Sequence, residues 1–437
     1  KYITSIVLSL LAALLAAQAV VSLQWAPTHD EAPLFYEAFL MQNGWFPYRD
    51  FFDFQMPGSF IAYYLFGLVS NYGFIRIRII DLFILAAILI VTYLAMRRFG
   101  KPAAFAAILL FGLEYLEGGP SLALQRDYLL VFFISLAILI GVSDSLDFRK
   151  RLILGLLFGL AATVKPHAAF GLVPFLLFDI ADLRQRRELS LQSLAKQVVL
   201  PSAIGFLIPI SLVTLWLAFT GALIPFLDIA VNYWKLYAQI NGEMAVTSSA
   251  ERAAYLLNQV WRLGGSALWL IPASFGIYLN RNRQTYLLAS LALVYAIYPA
   301  LSGQFFPYHY IPFVYCIVLV ASLAISIDYR LPINYLSTFI LLLTVLIGVR
   351  PSQTFLRQIE GKSIATSTDR ATQISTFLEK NLEAGDTVQP LDWTGGTLLA
   401  MLEPRAMIAT PYVFDFYFYH HVSEPYIQTL RSDFMTE

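Results

Sequence analysis

The chain has 437 residues, of which 58% are apolar, 15% aromatic and 13% charged, and its mean hydropathy is +0.65. A soluble domain is about 45–50% apolar and about 25% charged, so this composition excludes a water-facing globular protein and describes a polytopic membrane protein. Net charge is zero with no basic tract, which excludes nucleic acid as a partner, and the single cysteine, Cys316, excludes a disulfide framework or a thiolate metal cluster.

Long apolar stretches predict membrane spans over 3–24, 76–96, 103–116, 128–146, 151–165, 168–183, 198–220, 262–280, 286–302, 310–327 and 331–349, about eleven in all. The first has the outline of a signal peptide, but with so many spans behind it a retained helix is the expectation. Two stretches, 103–116 and 151–165, are short for a hydrocarbon core about 30 Å thick and are expected to tilt or to extend at their ends. Basic groups punctuate the spans: Arg97, Arg98 and Lys101; Arg149, Lys150 and Arg151; Arg184, Arg186, Arg187 and Lys196; Arg281 and Arg283; Arg330. All fall in alternate loops, which by the positive-inside rule predicts a cytoplasmic N-terminus. A further apolar stretch, 57–72, would invert every later loop if it crossed, so it reads as an interfacial or re-entrant helix on the outer face. Both ends of the chain are expected to be cut, since it opens on Lys1 and stops within the helix-like IQTLRSDFMTE. Residues 1–350 form the expected transmembrane domain, with a long first outer loop over 25–75. Residues 351–437 read as a truncated α/β extracytoplasmic domain, with a helix over 369–381, a strand at TVQPLDW and a helix starting in GGTLLAML.

The rare polar residues gather in the outer loops. From Asp30, apolar positions Leu34, Phe35, Ala38, Phe39 and Met41 predict an amphipathic helix lying along the membrane surface and stopping near Asn43-Gly44. An N-cap is one reading of Asp30, and Pro33 then falls in the first turn, where no donor is lost. Glu31 then complements the helix dipole. A second acidic group, Asp50 with Asp53, stands in the aromatic stretch WFPYRDFFDF. Rings and carboxylates together suit a sugar, while an aromatic belt with Arg49 paired to a carboxylate is the plainer alternative. Arg126-Asp127 opens the fourth span, Lys165 and His167 close the fifth, and His309 opens the tenth. Each cation alone could snorkel. Together, Arg126, Lys165 and His309 would suit a phosphate held at the outer interface. Arg76 and Arg78 with Asp81 read as a local ion pair. His29, beside the acidic pair, raises a divalent cation as a further reading, without a metal motif to support it.

The order of these parts resembles the GT-C superfamily of membrane glycosyltransferases, and within it the dolichyl-phosphate-mannose protein mannosyltransferases and the aminoarabinose transferases of lipid A. The matching features are the N-terminal span, Asp30-Glu31 in a long first loop, GWFPYRD, MPGSF leading into a short apolar helix, QRDY, VKPHAAF, FFPYHY and the α/β tail. Met56-Pro57-Gly58 carries one proline where the family has two. The resemblance implies an all-α polytopic fold of GT-C type with outer-face juxtamembrane helices. It also implies an inverting glycosyltransferase that moves a sugar from a polyprenyl-phosphate carrier to a hydroxyl on a lipid, glycan or protein. In that scheme Asp30 is the general base with Glu31 adjacent, and Arg126, Lys165 and His309 hold the donor phosphate. Tyr48, Asp50, Asp127, His167 and Tyr308 are the expected sugar or acceptor contacts, and no cofactor is required. The expected setting is a bacterial cytoplasmic membrane with the site facing outward. The alternatives are a transporter or flippase of a lipid-linked sugar, and a glycan ligase or polymerase using a diphosphate-linked donor.

Overall fold

The computed structural model describes residues 2–28, 30–143, 147–240, 245–325, 342–348, 353–362, 366–392 and 395–436. A chain in lipid must satisfy its backbone internally, and the expected spans within these residues are all helical. They are Tyr2–Val21, Phe74–Met96, Lys101–Glu117, Arg126–Gly141, Phe148–Val164, Leu172–Gln185, Leu200–Phe219, Leu270–Leu279, Arg283–Ser302 and Ile311–Ser322. Six helical stretches among the described residues are long and apolar enough to cross a membrane. Of the expected span 331–349 only 342–348 is described, as helix, and Arg330 lies outside the described residues. The expected span 262–280 starts late. An amphipathic helix, Ser249–Arg262, ends at Leu263 (φ 47°), and Gly264 and Gly265 also take positive φ, so regular helix resumes only at Leu270.

The helices pack closely where small residues allow it. A Cβ on Gly155 would fall on the Ser202 carbonyl, and one on Gly205 on the Leu152 carbonyl, so Phe148–Val164 and Leu200–Phe219 meet backbone to backbone. The Arg151–Asp179 and Arg283–Asp182 ion pairs join three helices at one end of the bundle. Lys165–Asp127 and Arg126–Asp30 join others at the opposite end.

That second end carries a layer of shorter elements. Pro57–Ser70 has 14 residues and is therefore about 21 Å long, short of the roughly 30 Å core. Both its ends touch this layer: Ser59 Oγ bonds the Val164 carbonyl, and Asn71, just past it, accepts from Arg405. It is a short apolar helix packed into this layer.

The Glu31–Gln42 helix corrects an expectation. It does not lie amphipathically along a surface; every residue from Glu31 to Leu40 is buried. Pro57–Ser70 covers one side and the C-terminal residues cover another, where Tyr36 donates to the Ala406 carbonyl at 2.8 Å. In the tail, Thr366–Asn381 precedes two short strands, Thr387–Val388 and Met407–Ile408, paired in parallel across the Thr397–Leu402 helix. The strand expected over TVQPLDW ends at Val388, close before Pro390, which has no N–H for a ladder.

Candidate active site

Two cavities meet in the layer described above. The larger, of about 350 Å³, is lined by Arg126, Lys165, His167, Gln304, Tyr308 and His309, with Phe54, Gln55, Trp234 and Tyr237 completing its wall. The smaller, of about 20 Å³, is lined by Asp30, Pro33, Leu34, Glu37, Asp53, Tyr237, Tyr308, Phe414 and Phe416, and again by Arg126. Arg126 lines both, as do Phe54, Gln55, Tyr237 and Tyr308.

Local sequence puts the cations there. Gln125 is extended (ψ 151°), so the helix starts at Arg126 and its side chain leaves the first turn buried among loop residues. Its Nη2 donates to Asp30 Oδ2 at 3.2 Å, while its Nε is buried with no partner among the described residues. In VKPHAAF, proline disfavours helix for the residue before it, so Phe148–Val164 stops and Lys165 is extended (φ −147°, ψ 117°). Lys165 Nζ then reaches Asp127 Oδ2 at 2.6 Å and lies 5.6 Å from the centre of the Tyr308 ring. Asp127 also accepts from the Tyr298 hydroxyl at 2.7 Å. His309 Nδ1 is 2.9 Å from the Gln304 carbonyl, an acceptor only, so that nitrogen carries the hydrogen. Gln304 Nε2 in turn donates to the carbonyls of Tyr237 and Ile240.

Arg126, Lys165 and His309 thus line one cavity, with His167 and Tyr308. The two stronger cations each already face a carboxylate, which makes the region close to neutral rather than strongly positive.

Asp30 stands at the N-cap position of Glu31–Gln42 but makes no capping bond. Its carboxylate is turned to Arg126 instead, and the small cavity touches it. Glu31 lines neither cavity. It is buried with Oε1 unpartnered, and burial holds its carboxyl well above the usual range, with Arg78 opposing. Arg78 pairs with Asp81, as the local ion-pair reading expected, and stacks 4.3 Å over Trp25.

Three expected contacts sit elsewhere. Asp50 accepts from Arg49 and from the Phe46 N–H, and Arg49 also donates to the Thr220 carbonyl. This local fork keeps Asp50 away from both cavities. Tyr48 is buried and donates to the Gln55 carbonyl, so it braces the wall without lining it. Asp127 orients Lys165 from behind. His29 lies outside the described residues, and among those described no three His, Cys, Asp or Glu side chains are arranged to hold a metal ion.

Sequence reasoning missed Glu37, Tyr237, Gln304 and the tail residues Phe414, Phe416 and Tyr417. Glu37 carried a usable signal, since positions 30, 33, 34 and 37 share one face of a helix and all line the small cavity. Nothing in the sequence joined the tail to the first loop.

This arrangement, a helical bundle with a polar site among juxtamembrane helices under an α/β tail, is the GT-C fold, and the resemblance read from the sequence is borne out. Residues 58–216, less than half of the chain, match the family model described as dolichyl-phosphate-mannose-protein mannosyltransferase. The structure is similar to ArnT from Cupriavidus metallidurans bound to undecaprenyl phosphate, with a TM-score of 0.61 at 14% identity over 96% of this chain and 88% of that one. It is similar to the apo state of the same protein with a TM-score of 0.60 at 13% identity, over 94% and 87%. At these identities the likeness is one of fold. No curated protein matches the sequence.

Proposed function

We propose that this protein is an inverting glycosyltransferase that moves a sugar from a polyprenyl-phosphate carrier to a hydroxyl acceptor at the outer face of a bacterial cytoplasmic membrane. The observation that carries the reading is Arg126, which lines the 350 Å³ cavity with Lys165 and His309 and holds Asp30 on its other side. A sugar phosphate already has a good leaving group. What remains is to deprotonate the acceptor and to stabilise charge on the departing phosphate. Arg126 and Lys165 serve the second need and Asp30 the first, with the acceptor hydroxyl reaching Asp30 past Arg126 from the larger cavity; His309, its Nδ1 hydrogen engaged by the Gln304 carbonyl, lines the cavity beside them. In-line attack then inverts the anomeric centre.

Two comparisons support the carrier: the matching family model is named for a dolichyl-phosphate sugar, and ArnT, of similar fold, was solved with undecaprenyl phosphate. A flippase is less favoured, because the ion pairs that join the helices lie at the two ends of the bundle rather than at broken helices between them. The test is release of polyprenyl phosphate from polyprenyl-phosphate mannose and polyprenyl-phosphate aminoarabinose by the purified protein, beside Asp30→Asn. Release by the wild type alone is expected. No release from either donor, or equal release by the variant, overturns the reading.

A further inference from the structure

Glu37 and Asp53 have no part in the scheme above, yet they form its most heavily buried polar feature. Glu37 is fully buried and neither of its oxygens has a partner among the described residues. Asp53 accepts from the Gln55 N–H at 2.7 Å and from the Tyr417 hydroxyl at 3.0 Å. Neither is in an ion pair among the described residues; Arg126, which lines the same cavity, pairs with Asp30. Two carboxylates enclosed together this way cannot both be ionised, so one proton is shared between them. Burial and the Asp53 charge place it on Glu37, whose carboxyl is held well above the usual range. The groups facing the pair are Asp30, Arg126, and the hydroxyls of Tyr48, Tyr237, Tyr308 and Tyr417. Glu37 lies two turns from Asp30 on the same helix face, across a cavity of about 20 Å³. That space suits one water and is too small for a sugar.

We propose that Glu37 and Asp53 are a proton-sharing pair that receives, through a water in the small cavity, the proton Asp30 takes from the acceptor. The inference rests on Asp30 being the base. In the transfer step the acceptor O–H breaks and its proton goes to Asp30. The acceptor oxygen bonds the anomeric carbon, and the electron pair of the breaking C–O bond leaves with the phosphate. In the second step the water gives a proton to Asp53 and takes one from Asp30, which returns to its ionised form; the pair, now holding two protons, gives one up to water by way of the adjoining larger cavity before the next turnover. The direction follows from burial, which raises the Asp53 carboxyl in the enclosed cavity and favours its taking the proton. The pair does not touch the reacting atoms; it resets the residue that does.

Glu37→Gln and Asp53→Asn in the full chain test this, with polyprenyl-phosphate mannose as donor and water as acceptor. Either variant should slow repeated turnover relative to the first turnover by about tenfold or more, equivalent to about 1.4 kcal/mol on the barrier. Each should also flatten the dependence of kcat on pH, which a purely structural role would not do. Infrared spectra of the protein alone should show a protonated carboxyl band at neutral pH that is lost in Glu37→Gln. First and repeated turnovers falling together, or an unchanged band, overturns the proposal. If the wild type releases no mannose, the transferase reading falls and the relay falls with it. The band then still reports whether the pair shares a proton.

Discussion

Replacing Asp30 by Asn separates the two things this carboxylate does in the structure. It caps nothing, so the helix starting at Glu31 loses no capping bond. What is lost is the charge facing Arg126 across 3.2 Å. That attraction is about 5 kcal/mol at an effective dielectric of about 20, and the desolvation of two buried ions offsets most of it. The amide still offers an oxygen to the guanidinium, so the net loss of stability is about 1–3 kcal/mol, the usual cost of weakening a buried charged hydrogen bond. The rate should fall by about 10²–10⁴, the contribution of a positioned base. Donor binding should move the other way. With its carboxylate gone, Arg126 is free for the phosphate, and affinity should rise by up to about tenfold, or ~1.4 kcal/mol. Titration with polyprenyl phosphate, together with a transfer assay and thermal unfolding in detergent, reads all three quantities. A variant that turns over normally, or one that binds polyprenyl phosphate more weakly than wild type, refutes Asp30 as a base restrained by Arg126.

Lys165→Met should cost about 3–5 kcal/mol in thermal unfolding, because Asp127 is left buried with only the Tyr298 hydroxyl for company. Arg49→Ala and Asp50→Asn should leave transfer unchanged, since their fork touches neither cavity; a loss of activity would return Asp50 to the site. Gly155→Leu should destabilise the bundle by about 1–3 kcal/mol or prevent its assembly, as seen by size exclusion in detergent, because its Cβ would strike the Ser202 carbonyl. The raised Glu37 carboxyl gives stability that is full below the ordinary glutamate value and lost as pH rises through the folded value, because only the charged form suffers from burial. Unfolding of the wild type should therefore become easier as pH climbs through that window, and Glu37→Gln should lose this slope.

Features written in short-range chemistry could be read from the sequence. The apolar spans, the basic groups in alternate loops, the break that Pro166 imposes after Lys165 and the Arg78–Asp81 pair all depend on neighbours a few residues apart. Even the gathering of Arg126, Lys165 and His309 followed from span ends lying on one side. The readings that failed depended on distant partners. Glu31–Gln42 has the pattern of a surface helix, and it takes Pro57–Ser70 on one side and residues after 397 on another to bury it. Asp50 looked like a sugar ligand because its competitor, the adjacent Arg49, could not be ranked against a cavity the sequence does not display. Glu37 went unnoticed because the Asp53 carboxylate and the tail aromatics that give it meaning come from elsewhere in the chain.

The C-terminal tail has a bearing on biogenesis. Tyr36 reaches a carbonyl 370 residues away, Tyr417 reaches Asp53 across 364, and the Phe52 N–H donates to the Pro411 carbonyl. Synthesis runs from the N-terminus, so the first loop is made and inserted long before the residues that enclose it. Until the residues after 397 dock, the wall that Phe414 and Phe416 give the small cavity beside Glu37 and Asp53 is missing. A molecule lacking these residues would keep the lining of the larger cavity, which draws on none of them, and lose one wall of the smaller.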